Sequence, residues 1–371
     1  MASSTLRASV PARRPRGFVP IIVAAAILVA VPVAARLLDR PSGGPTTAFA
    51  SAPSGNYIVL AAENPERTAE LISVAPATDL SAAIPIATVD HLEGFGSLGA
   101  VSPDGARLAL VTVDAGSPTR PGASLLVVDL LTGEVTRLAI EADHLQPPVW
   151  APDGKSVVIT RTANDGGPTS DVSVVRVPVD LSGETILESH LNVLGAYPFA
   201  FDPSDRLVTV VIDAEGSTVF RQGESLLHIS PGYTRDWTLS PDGLALAYVE
   251  ANLDSGVAYF PRVAMLEGGD AGVASQSLSA GQALGSAWPV NSPLPVFGND
   301  PSSSTGLSAQ STLGSGFDIP QGYASDGASL VVQHWTGDSF AAPGDVSLDV
   351  IANGARIPIT GHERFYGWAT R

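Results

Sequence analysis

The sequence predicts an all-β fold, a β-propeller of four-stranded antiparallel blades preceded by one N-terminal transmembrane helix, and three observations carry the propeller. First, a turn tetrapeptide recurs: Ala52-Pro53-Ser54-Gly55, Ser102-Pro103-Asp104-Gly105, Ala151-Pro152-Asp153-Gly154, Asp202-Pro203-Ser204-Asp205 and Ser240-Pro241-Asp242-Gly243, with Ala324-Ser325-Asp326-Gly327 a weaker sixth copy. The prolines stand 50, 49, 51 and 38 residues apart. Proline presets φ for the first central position of a turn, and Asp and Gly accept the reversal that follows. Second, each copy leads into a short apolar run. Third, nothing after residue 40 sustains a helical period. A strand, a turn and three further strands every 40 to 50 residues or so is the unit of a propeller blade, whereas a sandwich does not repeat at that period.

The chain has 371 residues and a formal net charge of −17, but residues 1–40 carry six Arg against the single acid Asp39. The remainder holds 14 basic and 36 acidic side chains, a net of −22. Such a body repels phosphate backbones and anionic lipid heads, so nucleic acid is not an expected partner. Residues 17–35 contain no charged side chain, and 19 residues of helix span about 28 Å, close to the bilayer core. Four Arg precede this stretch, which places residues 1–16 in the cytoplasm as a basic tail and everything after about residue 40 outside. The expected organisation is a tail at 1–16, a membrane helix at 17–38, a flexible tether at 39–50 and an extracytoplasmic propeller at 51–371. A cleaved signal peptide is the competing reading, since Val33-Ala34-Ala35 offers small residues for cleavage, but the apolar stretch exceeds the usual length. No cysteine is present, so disulfides, thiol nucleophiles and lipoprotein anchoring are excluded.

Within the body, strands are expected at Tyr57–Ala61, Arg107–Val113, Ser156–Thr162, Leu207–Ile212, Ala245–Val249 and Ser329–His334, each directly after a turn. Ser124–Leu130 and Glu134–Ile140 flank a Thr132-Gly133 turn, and Ser347–Ile351 and Arg356–Ile359 flank Asn353-Gly354, the strongest two-residue hairpin signal. Aromatics precede several turns: Trp150, Phe199 with Phe201, and Trp237.

An aromatic, then S-P-D-G, then a strand, then a D-L-x-T-G hairpin resembles the TolB-type, WD-like propeller repeat. The resemblance is good at Ser102–Leu138 and Trp150–Glu188, fair at Trp237–Val249 and poor between Ser286 and Phe317. It implies the propeller fold and, because such propellers commonly act through protein contacts, a binding role. Trp288 lies 51 residues after Trp237 without a following P-D-G, so counting it gives seven blades and discarding it gives six; seven is favoured. The polar stretch between Gly298 and Gly316 is expected to be a long loop. Phe365-Tyr366-Gly367-Trp368-Ala369 matches the strand before a turn, so it is expected to complete the first blade and close the ring, with Thr46–Ala50 competing for that slot.

Chemistry is sparse. Gly94-Phe95-Gly96-Ser97-Leu98-Gly99 fits G-x-G-x-x-G but leads into a strand and turn, where a dinucleotide site requires a helix. No G-x-S-x-G occurs, and no hydrolase domain is expected after the propeller. His91, His144, His190, His228, His334 and His362 are at least 28 residues apart and show no local ligand spacing. Asn164-Asp165-Gly166 and Asn299-Asp300 resemble fragments of Ca²⁺ loops without continuing as such. Asp104, Asp153 and Asp242 recur once per blade and read as turn formers. Trp150, Trp237, Trp288 and Trp368 read as inter-blade packing, with a sugar-binding face as the other reading. No catalytic, cofactor or metal residue is assigned. The expected function is a non-catalytic binding or scaffold module held at the cell membrane, monomeric in its body, engaging a protein, peptide or envelope polymer. The alternatives are a carboxylate-dependent glycoside hydrolase or lyase with an axial pocket, and a membrane-linked sensor.

Overall fold

The computed structural model describes residues 49–371 apart from 119, 164–167, 231–232, 253–257, 267–283, 291, 299–315 and 338–341. The tail, the membrane segment, the tether up to residue 48, and the turns Asn164-Asp165-Gly166 and Asn299-Asp300 lie outside these residues. Among the described residues no helix is long and apolar enough to cross a membrane.

Blade one takes β1 (Asn56–Glu63), β2 (Ala69–Pro76) and β3 (Ile84–Asp90). Blade two takes β4 (Leu98–Val101), β5 (Arg107–Ser117), β6 (Arg120–Asp129) and β7 (Val135–Ala142). Blade three takes β8 (Val149–Trp150), β9 (Ser156–Ala163), β10 (Ser170–Pro178) and β11 (Thr185–Val193). Blade four takes β12 (Gly195–Phe201), β13 (Leu207–Ile212), β14 (Ser217–Arg221) and β15 (Glu224–Ile229). Blade five has three strands among the described residues, β16 (Tyr233–Leu239), β17 (Ala245–Asn252) and β18 (Ala258–Met265). A two-stranded ribbon follows, β19 (Ser286–Ala287) with β20 (Val296–Phe297). Blade six takes β21 (Phe317–Tyr323), β22 (Ser329–Trp335), β23 (Val346–Ala352) and β24 (Ala355–Ile359), and β25 (Arg364–Thr370) returns to pair with β1. All pairings are antiparallel, and the innermost strands β25, β4, β8, β12, β16, β19 and β21 touch in that order around a closed ring.

The favoured count of seven blades is therefore corrected: six sheets are blades among the described residues, and the start at Trp288 carries only the ribbon. The physical reason is local. The segment joining β19 to β20 contains Pro289, Pro293 and Pro295 and no P-D-G, and proline cannot donate to a strand ladder.

The six apolar runs that follow the turns all form strands, and Leu207–Ile212 does so with the expected bounds. They read as continuous rather than alternating because each is buried on both faces. In β5, Leu108 and Leu110 pack with Tyr57, Val59 and Val128, while Ala109, Val111 and Val113 pack with Trp150, Val157 and Ile159 of blade three. Period-two alternation thus sorts one strand's side chains between two neighbours. Full burial of each such Leu or Val contributes about 1.5–3 kcal/mol.

The turns are built as their residues dictate. Ser102 Oγ donates to Asp104 Oδ1 at 2.5 Å and accepts from the Arg107 N–H at 2.9 Å, and Asp104 Oδ1 also accepts from the Ala106 N–H at 3.1 Å. Ser240 and Asp242 repeat this arrangement with the N–H groups of Leu244 and Ala245. Gly105 has φ +69°, and a Cβ there would lie 2.6 Å from the Thr370 nitrogen of β25. Blade two's turn is thus pressed against the closing strand, and only glycine fits. Asn353 and Gly354 both have positive φ, as a type I′ hairpin requires.

Closure occurs as expected through β25, which pairs with β1 from Asn56↔Thr370 to Ala61↔Arg364. Gly55 and Arg371 then exchange two backbone hydrogen bonds at 3.0 Å, so Ala52-Pro53-Ser54-Gly55 leads into β1 without the Gly N–H to first-residue carbonyl bond of the P-D-G turns. Phe49, at the end of the expected tether, is fully buried and meets Tyr57 edge-on at 5.0 Å. Phe49 and Ala50 lie in a turn and are not strand residues.

Candidate functional site: an aromatic pocket at the turn end of the ring

The inner strands β12, β16, β19 and β21 end at one face of the ring, where the P-D-G turns begin. Their ends enclose a pocket of about 610 Å³ walled by Phe199, Phe201, Trp237, Trp288 and Tyr323, with Ser286 and Gln321 among its polar groups. The pocket is open to solvent on one side, with a mostly apolar lining and a few polar groups.

The tryptophans of the repeat divide into two kinds. Trp150 donates its indole N–H to the Ala100 carbonyl of the preceding blade at 2.8 Å, with the Arg107 guanidinium 5.6 Å from its ring centre. Trp368 donates in the same sense to Gly322 at 3.1 Å, across the closure between blades one and six. These two fasten neighbouring blades. Trp237 instead donates to Thr234 Oγ1 of its own strand at 2.9 Å, and Trp288 donates to the Ser292 carbonyl of its own segment at 2.9 Å. Each N–H is satisfied inside its own segment, and both rings line the pocket. Tyr197 and Phe199 support Trp237, with ring centres 5.1 and 6.3 Å away. The inter-blade reading holds for Trp150 and Trp368, and also for Trp237, which packs on Tyr197 and Phe199 of blade four, while Trp288 packs against Ala247 and Val249 of blade five; Trp237 and Trp288 in addition line the pocket.

Asp202 is the one carboxylate among the described lining residues. Arg206 Nη2 lies 2.7 Å and Arg221 Nε 3.4 Å from its Oδ2, and Oδ1 accepts from the N–H groups of Ser204 and Arg206. Burial works to raise its pKa, but the backbone N–H groups and the Arg206 guanidinium outweigh burial and hold it below the usual carboxylate value. Arg221 also donates to the Gly243 carbonyl at 2.8 Å, tying this turn to the next. Asp202 is thus an ionised structural group, and a glycosidase-like pair of carboxylates is not assembled by the described residues of this pocket. Asp104, Asp153 and Asp242 are held in their own turns.

Gly94–Gly99 runs into β4 with no helix, as its context in the sequence indicated. The sequence placed Trp237, Phe199 and Phe201 before turns and Trp288 one blade length after Trp237, but did not single out Tyr323 and Gln321 as their companions. The weak Ala324-Ser325-Asp326-Gly327 copy was the available signal, since by the pattern of the other repeats an aromatic precedes it, and Tyr323 does.

No family model matches the chain, and no curated protein matches it. Among solved structures it is similar to TolB from Acinetobacter baumannii, at 16% identity and a TM-score of 0.51 over 85% of this chain and 67% of that one. It is also similar to a puromycin hydrolase, at 16% identity and a TM-score of 0.50, over 88% of this chain but only 55% of that one. Both likenesses concern the fold. The class of protein is a β-propeller, with six blades among the described residues, and its structural neighbours have mixed roles.

Proposed function

We propose that this propeller is a non-catalytic binding or scaffold module, held at the cell membrane by the segment 17–38 with its N-terminus cytoplasmic, which engages a protein, peptide or envelope polymer through the aromatic pocket at its turn end. The observation that carries the reading is the pair Trp237 and Trp288, whose N–H groups are turned into their own segments while their rings line the pocket. Such surfaces suit proline or aliphatic side chains and sugar faces, which bind by apolar contact. The arginine-paired state of Asp202 supports a binding role over acid–base chemistry at this place.

The test is tryptophan emission of the purified full chain, titrated in turn with polyproline peptide, soluble peptidoglycan fragments and extracted envelope proteins. The expected outcome is a saturable emission change with one probe, abolished in Trp288→Ala and Trp237→Ala and retained in Trp150→Phe. Cleavage of a probe that persists after both pocket substitutions would overturn the reading in favour of an enzyme.

A further inference from the structure

The opposite end of blade one gathers a second set of side chains. Glu63 ends β1 and Glu70 lies near the start of β2, and the two are directly opposed in the strand register. Ala69 is paired with Asp90, and the His91 N–H donates to the Thr68 carbonyl at 2.8 Å, so His91 is brought to the same corner at the end of β3. One ligand atom of each of Glu63, Glu70 and His91 lies within 4.8 Å of the other two.

Two like charges directly opposed on neighbouring strands require a cation between them. Arg364 of β25 supplies one: its Nε is 2.7 Å from Glu70 Oε1, and its Nη2 contacts Glu63 Oε1. Arg67 Nε is 3.0 Å from Glu63 Oε2. Glu70 is fully buried and also accepts from Tyr366 Oη at 2.6 Å and from the Ser97 N–H at 3.1 Å.

The guanidinium does not complete the site. His91 is 7% exposed, and its Nδ1 lies 3.0 Å from the Leu92 carbonyl. An imidazole that donates from Nδ1 to a backbone carbonyl carries its lone pair on Nε2, the arrangement found in metal-ligating histidines. His91 Nε2 is buried and has no hydrogen-bond partner, an expensive state for an acceptor.

The geometry points to a divalent transition-metal site formed by Glu63, Glu70 and His91, in which the ion replaces the Arg364 guanidinium between the two carboxylates. One imidazole nitrogen with two carboxylate oxygens suits Zn²⁺ or Mn²⁺, whereas Ca²⁺ and Mg²⁺ favour oxygen alone. Ligand atoms at about 2 Å from an ion require the set to close by roughly an ångström. Glu63 is the ligand able to move, being the least buried of the three. The Arg364 and Arg67 side chains are 25% and 34% exposed, with Arg364 Nε and Arg67 Nη2 buried, so entry of the ion requires both guanidinium groups to swing out of the corner. The charge of the corner then stays balanced, and ion and arginine compete for one position.

The test is equilibrium dialysis of the chelator-stripped full chain against ZnCl₂ and MnCl₂, with MgCl₂ and CaCl₂ as controls. The expected result is about one ion per chain, an affinity lowered about tenfold or more in His91→Gln, and an affinity raised in Arg364→Met because the competitor is gone. Should Arg364→Met fail to fold by near-ultraviolet circular dichroism, wild type against His91→Gln decides alone. Absence of Zn²⁺ and Mn²⁺ binding overturns the inference, as does binding unchanged by His91→Gln or stronger for Mg²⁺ or Ca²⁺. The pocket reading does not depend on any of these outcomes, because its tryptophan titration is run without metal.

Discussion

Trp150 and Trp237 stand at the same place in two repeats, yet their hydrogen bonds go to different partners, and that difference is measurable. Trp150→Phe and Trp368→Phe each remove an N–H that crosses between blades. Each loses one inter-blade hydrogen bond, so each is expected to lower stability by about 1 kcal/mol, read as the shift in urea midpoint at unchanged slope. Equal losses from the pocket tryptophans and the fastening ones would show that the distinction is not energetic. Acid titration tests other residues. Burial works to raise Glu63, Asp104 and Asp202, but Arg364 and Arg67 at Glu63, Ser102 and the Ala106 N–H at Asp104, and the Arg206 contacts at Asp202 leave all three lowered. A folded pKa below the unfolded one means that the unfolded chain binds more protons, so the stabilisation is present above about pH 4.3 and is lost as pH falls through the depressed values. Urea midpoints measured from pH 6 down to pH 3 should therefore fall below about pH 4.3. A flat profile would remove these carboxylates from the account.

At the scale of the element, the closing strand carries the strongest expectation. β25 pairs along β1, packs Tyr366 against Glu70 and brings Arg364 to two carboxylates. Arg364→Met leaves fully buried Glu70 without its cation, and the expected loss is about 3–5 kcal/mol by thermal or chemical unfolding in the absence of metal. Deleting residues 364–371 removes that contact and also bares the β1 edge, so soluble monomer should be lost on size-exclusion chromatography. The strands and turns were legible in the sequence because their signals are local: Pro, Asp, Ser and Gly set each turn, and a run buried on both faces is apolar throughout. The Asn353-Gly354 hairpin was legible for the same reason, both residues taking positive φ. The ribbon was not, because a Trp at the right spacing looks like a blade start unless the three prolines after it are weighed against it. The pocket and the Glu63–Glu70–His91 corner were legible only in part. Their members come from separate strands, and local spacing carries no information about what a ring brings together; His91 is 21 residues beyond Glu70 in the chain.

Over the whole molecule, every inner strand touches two neighbours, so the ring has no free end at which unfolding begins. Its least supported sector is then the place to look for motion. Among the described residues the shortest sheet is the ribbon, where β19 and β20 contribute two residues each and pair through Ser286↔Phe297 and Ala287↔Val296. Few backbone bonds protect it, and local opening follows such scarcity. The ribbon is also a wall of the pocket, through Ser286, Ala287 and Trp288. The shortest described sheet and the candidate binding site are therefore one place, and a ligand that stacks on Trp288 is expected to hold the ribbon still. Hydrogen exchange is expected to be fastest, among the described strands, at 284–297 in the free chain. It should slow there more than at Ser156–Ala163 of blade three when the ligand found by the emission titration is added. Slow exchange of the ribbon in the free chain would show that β19 and β20 are held as firmly as a full blade. Slowing confined to another sector would place the ligand elsewhere on the ring.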